Sequence, residues 1–427
     1  MEEAIGSQIT YYMIKPVKPH HILLTLKKII DNKRLVQEKT SSAYQQEFQK
    51  IFMAVQSEMD HKEWADIYKK LVFWELNLEK SKTSGMKEVF SMQKSEANRE
   101  FSKFISKNYI DWIHNEGDAP LMSHTIMKSK ILPEVKPGKP TFFFLIDNLR
   151  YDQWRVLHPM IAEDYRLKEE NVYYSILPTA TQYSRNALFA GMMPLEIERK
   201  FPKYWKNDEE EGGKNLHEAD FFTDLLARTR SDLKWQYEKI TSLSAGQNLV
   251  DNISNYLNND LTIIVYNFVD MLSHARTDME VLKELANDEA AYRSLTLSWF
   301  DHSPLYQAIK KLADKDINLV ISTDHGTVRV NTPSKVLGDR NTTTNLRYKT
   351  GKNLQFNPKE VFEIKDPHKG LLPKQHVSSN FIFAKEDEYF VYPNNYNYYV
   401  NYYRNTFQHG GISLEEVLIP YAIFTSK

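Results

Sequence analysis

The sequence predicts an α/β fold whose mostly parallel sheet is covered by helices on both faces, preceded by an all-α helical bundle. Residues 37–130 carry apolar side chains three and four positions apart, which is helical periodicity. Residues 133–140 contain Pro133, Pro137, Gly138 and Pro140, a composition that interrupts helices and central strands. Beyond this segment, short apolar runs alternate with helical stretches, as in a sheet buried on both faces.

The composition is that of a globular protein. The chain has 427 residues, of which 41% are hydrophobic and 26% charged, which predicts two or three folded domains. Its 55 Lys+Arg and 56 Asp+Glu nearly cancel, so no overall field attracts nucleic acid or anionic lipid. No apolar run reaches the ~18 residues of a membrane helix, and no signal peptide is evident, so we expect a cytoplasmic protein without a membrane span. Because the chain has no Cys, His and carboxylates are the remaining strong metal ligands.

Residues 1–36 contain one short strand, at 10–14, and one amphipathic helix, which cannot bury a core together. Lys15 and Pro16 follow the strand. The segment resembles the last strand and helix of a two-component receiver domain, in which the active-site lysine precedes a proline. The resemblance implies that Lys15 is this lysine and that most of the receiver, with its phosphoacceptor aspartate, is missing. A plain strand-helix lead-in with an accidental Lys-Pro pair is the alternative.

The helical periodicity of residues 37–132 breaks near 57–60 and 81–85. These breaks predict a linker domain of three or four helices whose aromatic stripes form its core. We place the main domain boundary at 133–140, and a catalytic domain at 141–427. Within that domain, residues 330–405 form a long insert that we expect to act as a cap.

Three predicted strands end in carboxylates, namely Asp147, Asp270 and Asp324. Ligands of α/β sheets bind at the carboxyl ends of the strands, so these side chains should converge on one edge. Carboxylates held together repel one another unless cations lie between them. Three histidines stand close to these elements or follow them, namely His274, His325 and His409. Six such oxygen and nitrogen ligands predict two divalent metal ions, with zinc preferred and manganese as the alternative.

Residues 177–186 follow a predicted strand and open a predicted helix. A hydroxyl at the start of this helix lies where negative charge is favoured, and a neighbouring metal ion would lower its pKa. Thr181 is our candidate nucleophile. Thr179, two residues earlier, is the competing candidate.

The order Asp, Thr, Asp-x-x-x-His, Asp-His, His resembles the alkaline phosphatase superfamily over residues 141–424. Within it, residues 177–187, 267–274 and 409–416 look like the PglZ domain. The resemblance implies one metal ion bound by Asp147, Thr181, Asp324 and His325. It implies a second ion bound by Asp270, His274 and His409.

The same resemblance implies a metal-dependent phosphodiesterase that acts on nucleotides or short oligonucleotides. Thr181 would attack phosphorus, the metal ions would stabilise the attacking and leaving oxygens, and water would cleave the phosphothreonine. The diester preference rests on the Pro-Thr-x-Thr pattern of residues 178–181 and on the tyrosine-rich stretch 389–403, whose rings either stack on bases or pack inward. A phosphomonoesterase is the close alternative. A regulatory interaction module whose metal ions serve stability is the alternative from another class.

The order of a receiver-like fragment, a helical linker and a PglZ-like domain resembles response regulators that control the type IX protein secretion system. The resemblance implies coupling to two-component signalling. It also implies a protein partner from the secretion or transcription apparatus, and a homodimer.

Overall fold

The computed structural model describes residues 19–427 apart from 82–83, 268, 270–271, 273–278, 280–283, 287 and 340–341. The receiver-like strand at 10–14 and Lys15 lie outside the described residues. The chain forms two compact units. The first unit comprises the chain up to Glu58 together with Lys69–Lys94. The second unit comprises Met59–Tyr68 and Ser95–Lys427.

Three long helices precede the sheet, namely α1 at Pro19–Val55, α2 at His61–Lys80 and α3 at Ser84–Ile113. Their boundaries confirm the predicted all-α segment and its two breaks. In the first unit the Tyr44 ring packs 5.5 Å from Trp74 and 6.0 Å from Phe90, between ring centroids. Tyr44 and Phe90 therefore belong to the core of this unit, whereas Phe52 is 47% exposed. Because α1 runs unbroken through residue 36, the domain boundary there stays a prediction.

A mixed sheet of six strands forms the centre of the second unit. The strands are β1 at Thr141–Ile146, β2 at Tyr165–Tyr174, β3 at Trp235–Ile240, β4 at Leu261–Tyr266, β5 at Asn318–Ser322 and β13 at Leu418–Ser426. Their order in the sheet is β2-β13-β5-β1-β4-β3. β13 runs antiparallel to both neighbours, while β3, β4, β1 and β5 pair in parallel. The predicted mostly parallel sheet is confirmed. All six residues of β1 are buried, which explains its continuous apolar sequence.

Helices cover both faces of the sheet, as predicted. They are α4 at Ser123–Ile126, α5 at Tyr151–Ala162, α6 at Thr181–Ala190, α7 at Pro194–Lys200, α8 at Glu218–Arg228, α9 at Leu243–Asn252, α10 at Glu289–His302 and α11 at Pro304–Lys311. Between α4 and β1 the chain passes through a π-helical turn at Met127–Ile131 and a 3-10 turn at Leu132–Glu134. A further 3-10 turn at Ile253–Asn258 follows α9.

The insert after β5 builds small sheets of its own. Its elements are β6 at Val328–Arg329, β7 at Thr332–Lys335, β8 at Tyr348–Lys352, β9 at Val361–Ile364, a 3-10 turn at Pro367–Gly370, β10 at Ser379–Ala384, β11 at Glu388–Val391, α12 at Tyr396–Tyr403 and β12 at Phe407–Gln408. β8, β10 and β9 form a three-stranded antiparallel sheet. α13, at Leu414–Val417, then leads into β13.

The tyrosine-rich stretch divides its rings between the interior and the surface. Tyr389 is buried in β11, and its hydroxyl donates to the Val400 carbonyl oxygen at 2.8 Å. Tyr398, on α12, is 64% exposed. The stretch therefore forms a strand followed by a helix, with one aromatic side packed and one available to a ligand.

Among the described residues, no helix combines the length and the apolar character that crossing a membrane requires.

The central strands should dominate the stability of the second unit. Leu319 is fully buried in β5, whereas Leu243, at the start of α9, is 70% exposed. We expect Leu319→Ala to lower the free energy of unfolding by about 2–5 kcal/mol, because it leaves a cavity in the core. The matched Leu243→Ala should change it by less than about 0.5 kcal/mol. Denaturant titration followed by circular dichroism measures both, and equal losses would contradict the described packing.

Candidate active site

Two neighbouring strands deliver carboxylates to the same edge of the sheet. β1 and β5 pair in parallel, and Asp147 follows the first while Asp324 follows the second. With His325 they form a buried group in which each residue offers one ligand atom, all within 4.8 Å of one another. Asn148 adopts a left-handed conformation, with φ 62°, and its N–H donates to Asp324 Oδ1 at 3.3 Å. The turn after β1 is thus tied directly to the second carboxylate.

Thr181 is the first residue of α6 and points its hydroxyl at this group. Its Oγ1 lies 2.9 Å from His325 Nε2 and 3.4 Å from Asp147 Oδ1. Ala180 precedes the helix in an extended conformation, and its side chain cannot cap the helix. The first N–H groups of a helix lack partners within the helix and favour negative charge beside them. The hydroxyl therefore stands where an anionic oxygen is stabilised.

Thr179, the competing candidate, is fully buried and turned toward the main chain of the last histidine segment. Its Oγ1 donates to the Gly411 carbonyl oxygen at 2.9 Å and accepts from the Gly410 N–H at 3.0 Å. The hydroxyl hydrogen and one of the two lone pairs on Oγ1 are thus used. Its position favours Thr181 as the nucleophile and gives Thr179 a connecting role.

The two described histidines of the site carry their protons on Nδ1. His325 Nδ1 lies 3.1 Å from the Gly326 carbonyl oxygen, and His409 Nδ1 lies 3.2 Å from the Thr179 carbonyl oxygen. A carbonyl oxygen can only accept, so each ring donates from Nδ1 and its neutral form has a lone pair on Nε2. The two rings stack with centroids 4.3 Å apart. Donation of the Nδ1 proton to a carbonyl oxygen is typical of histidines whose Nε2 binds a metal ion.

The segment that carries His409 is fixed by a buried ion pair from the insert. Glu416 accepts the Gly411 N–H at 2.9 Å and pairs with Arg347 Nη2 at 2.6 Å. A Cβ at residue 411 would lie 2.5 Å from the Ala384 carbonyl oxygen and 2.9 Å from Arg347 Cζ. Glycine is therefore required for this close approach.

Asp270 and His274 lie outside the described residues. The strand that leads toward them does reach the site, because Asp147 N–H donates to the carbonyl oxygen of Tyr266, the last residue of β4, at 3.0 Å. Asn267, the next residue, accepts a hydrogen bond from Arg185 at 3.4 Å.

Arg185 is the residue of the site that the sequence interpretation missed. It is buried one helical turn after Thr181, and its Nη1 donates to Asp147 Oδ2 at 2.7 Å and lies 3.8 Å from Asp324 Oδ2. Its Nε donates to Glu218 Oε1 at 2.6 Å. The four-residue spacing from Thr181 was the available signal, since it places both side chains on one helix face.

The charges around Asp147 and Asp324 shift the pKa values of the two carboxyl groups in opposite directions. Burial alone would raise the pKa of Asp147, but the Arg185 guanidinium, followed by His325, holds that pKa below its ordinary value. Burial, together with the negative charge of Asp147, raises the pKa of Asp324 to about 6. Burial would lower the pKa of Arg185, yet Asp147 and Glu218 raise it well above its ordinary value. Arg185 thus compensates Asp147 more fully than Asp324.

The donor set fits a divalent metal ion. Among the residues that the structure describes, Asp324 Oδ2 is buried and has no hydrogen-bond partner, and such a carboxylate oxygen costs free energy unless a cation satisfies it. His325 Nε2 and Asp147 add nitrogen and oxygen ligands. This mixture suits zinc or manganese, and the group does not distinguish them.

Comparison with known families agrees with the site. The family model described as the BREX system PglZ alkaline phosphatase-like domain matches residues 126–424. The chain belongs to the PglZ alkaline phosphatase-like family. The PorX response regulator linker domain matches residues 34–113, so the resemblances to the PglZ domain and to this class of response regulator are confirmed. The receiver-like fragment stays a prediction. The PglZ assignment supports a phosphoric ester hydrolase.

Solved structures are more distant. Human ectonucleotide pyrophosphatase/phosphodiesterase 5 is 10% identical, with a TM-score of 0.45 over 67% of this chain and 88% of that chain. Phosphonoacetate hydrolase from Sinorhizobium meliloti 1021, in complex with phosphonoformate, is 10% identical, with a TM-score of 0.43 over 67% of this chain and 90% of that chain. No curated protein matches the sequence.

Removal of the Arg185 guanidinium should destabilise the folded protein, because it leaves buried carboxylates without their cation. We expect Arg185→Met to lower the free energy of unfolding of the metal-free protein by about 3–5 kcal/mol, because Asp147 and Glu218 lose their buried partner. Arg228 pairs with Asp224 near the surface at 2.7 Å, so Arg228→Met should cost less than about 1 kcal/mol. Denaturant titration measures both variants. Similar losses would show that Arg185 does not compensate the carboxylates.

Proposed function

We propose that the chain is a metal-dependent phosphodiesterase that acts on nucleotides or short oligonucleotides through Thr181. The observation that carries the proposal is the position of the Thr181 hydroxyl, 2.9 Å from His325 Nε2 at the start of a helix. A hydroxyl beside a nitrogen lone pair and a helix N-terminus is suited to become a nucleophile. The family assignment supports the same reaction class.

The proposal assigns Asp147, Thr181, Asp324 and His325 to one divalent ion, and Asp270, His274 and His409 to a second. Two observations support these assignments. Asp324 Oδ2 has no hydrogen-bond partner within the described part of the chain, and the neutral rings of His325 and His409 have a lone pair on Nε2. When bound, the ions supply positive charge that stabilises the attacking and leaving oxygens of a phosphoryl group. Zinc is our first choice and manganese the second.

The reaction proceeds in two displacements. The Thr181 Oγ1 bonds to phosphorus while the bond from phosphorus to the leaving alcohol oxygen breaks, and the proton that Oγ1 gives up passes through solvent to that leaving oxygen. His325 Nε2 lies 2.9 Å from Oγ1, so the two atoms stand side by side as proposed ligands of the same ion. Water then attacks phosphorus and the bond to Thr181 breaks. One proton of the water returns to Oγ1, and a phosphomonoester is released. Asn215 Nδ2 donates to the Thr181 carbonyl oxygen at 3.0 Å and keeps the start of α6 in position.

The proposed nucleotide preference rests on the Pro-Thr-x-Thr pattern and on the aromatic side of α12. Tyr398 and Tyr402 stack with centroids 6.0 Å apart, and Tyr398 is largely exposed. Exposed tyrosine faces can stack on bases irrespective of their sequence. We therefore propose that oligonucleotides of a few residues are better substrates than simple monoesters.

We also propose that the activity is coupled to two-component signalling in the control of type IX secretion. The match of residues 34–113 to a response regulator linker domain supports this coupling. The proposal includes a cytoplasmic location, a homodimer, and a protein partner from the secretion or transcription apparatus.

Thr181 should be indispensable for turnover. We expect Thr181→Ala to reduce hydrolysis of an activated phosphodiester by at least about 10³-fold, because it removes the nucleophile. Thr181→Ser should keep activity within about tenfold, because it retains the hydroxyl. Initial rates on a diester and a matched monoester, measured with zinc-loaded protein, test this.

Thr179→Ser serves as the control because it keeps the connecting hydroxyl, and its rate should stay near that of the unsubstituted protein. Full activity of Thr181→Ala would disprove the nucleophile assignment. Turnover of the monoester as fast as the diester would remove the diester preference and leave a phosphomonoesterase.

Metal binding should depend on the buried group. We expect Asp324→Asn and His325→Ala each to lower the bound zinc per chain and to abolish turnover, because both remove a predicted ligand. His302, exposed on α10 and bonded to the Ser298 carbonyl oxygen, provides the control His302→Ala with unchanged metal content. Atomic emission after dialysis counts the metal. Unchanged zinc in both site variants would place the ions elsewhere.

A further inference from the structure

One face of α3 contacts both segments that carry candidate catalytic residues. We define the nucleophile segment as residues 177–181 and the histidine segment as residues 409–416. Asn98, Ser102 and Tyr109 stand four and seven positions apart on α3, a spacing that places them on one face of a helix. These three residues and both segments belong to the second compact unit.

Asn98 binds the end of the histidine segment. Its Oδ1 accepts the N–H of Leu414, the first residue of α13, at 2.7 Å. Its Nδ2 donates to Glu415 Oε2 at 3.1 Å. Ser102 adds a hydrogen bond from its hydroxyl to the Ile412 carbonyl oxygen at 3.4 Å. Asn98 is 7% exposed and Ser102 is 1% exposed, so these bonds lie in the interior.

Tyr109 binds the start of the nucleophile segment. Its hydroxyl accepts the Leu177 N–H at 2.8 Å and donates to the Leu177 carbonyl oxygen at 3.5 Å. Both main-chain groups of one residue are therefore satisfied by a single side chain. Leu177 is fully buried and stands four residues before Thr181, so a displaced Leu177 would shift the start of α6.

The two segments also bind each other at the site. The Thr179 hydroxyl bonds to main-chain groups of Gly410 and Gly411, and the Thr179 carbonyl oxygen accepts from His409 Nδ1. Thr181 and His409 are thus connected through Thr179 on one side. On the other side, Asn98 and Tyr109 are eleven positions apart on α3, which is about 16 Å along a rigid helix. The hydrogen bonds form a closed ring of helix and two segments.

We propose that Asn98 and Tyr109 are positioning residues through which α3 fixes the placement of Thr181 relative to His409. This inference rests on the proposed function, because it concerns the regulation of the same site. Reactive groups must be held to within about 0.5 Å for efficient chemistry. α3 begins in the first compact unit and ends in the second, so a displacement of this helix along its axis would change both segments together.

The kinetic test compares two tyrosines with the same chemistry. Tyr165 is as buried as Tyr109, and its hydroxyl donates to the Ile309 carbonyl oxygen at 2.7 Å, beside the amino-terminal end of β2. We expect Tyr109→Phe to lower kcat for the phosphodiester at least about tenfold, with KM changed less than about twofold. Tyr165→Phe should lose similar stability and keep kcat. Equal kcat in the two variants would overturn the proposal.

Hydrogen exchange provides a test that does not require turnover. We expect Tyr109→Phe to speed amide exchange in the histidine segment, and Asn98→Leu to speed it in the nucleophile segment. In each case the affected segment is one that the substituted side chain does not bind. Tyr165→Phe should leave both segments unchanged. Faster exchange confined to the segment in direct contact would overturn the coupling, even if the unsubstituted protein hydrolysed neither ester and the proposed function failed.

Discussion

The site depends on two carboxylates that the sheet buries beside each other. Asp147 and Asp324 follow strands that are neighbours in the sheet, so the parallel pairing brings the two negative charges to one edge. Buried like charges are expensive unless cations compensate them. Arg185 supplies one cation, and its own partner Glu218 fixes the guanidinium from the far side. Because Arg185 and Thr181 lie one turn apart on α6, the ion pair that Arg185 forms with Asp147 also ties Thr181 to the site.

Much of the fold could be predicted because burial on two faces leaves a plain signal in the sequence. β1, β4 and β5 are largely apolar in sequence, and all of their residues are buried, which explains this composition. The direction of β13 could not be predicted, since an apolar strand has the same composition whether it runs parallel or antiparallel. The tyrosine-rich stretch was equally ambiguous, because β11 and α12 share a composition and differ in which rings are covered.

The candidate site was predictable where residue type limits the chemistry. The structure brings Asp147, Asp324 and His325 together, because each follows or adjoins a strand end. Arg185 was missed because a buried arginine is recognised by its partners, which only the folded chain supplies. Thr179 and Thr181 are chemically identical in the sequence. They differ in the folded chain, because the Thr179 hydroxyl bonds to main-chain groups whereas the Thr181 hydroxyl lies beside Nε2 of His325.

The antiparallel strand β13 has a consequence for how the protein folds. It lies between β5 and β2 in the sheet. Ser426 pairs with Tyr165, although most of the sequence of the domain lies between these two residues. Pairings between such distant residues form slowly, because a long loop must close before any contact stabilises it. Until β13 joins, β5 presents an open edge at which chains can associate wrongly. We therefore expect the histidine segment, which leads into β13, to dock late, so that the candidate site is completed only near the end of folding.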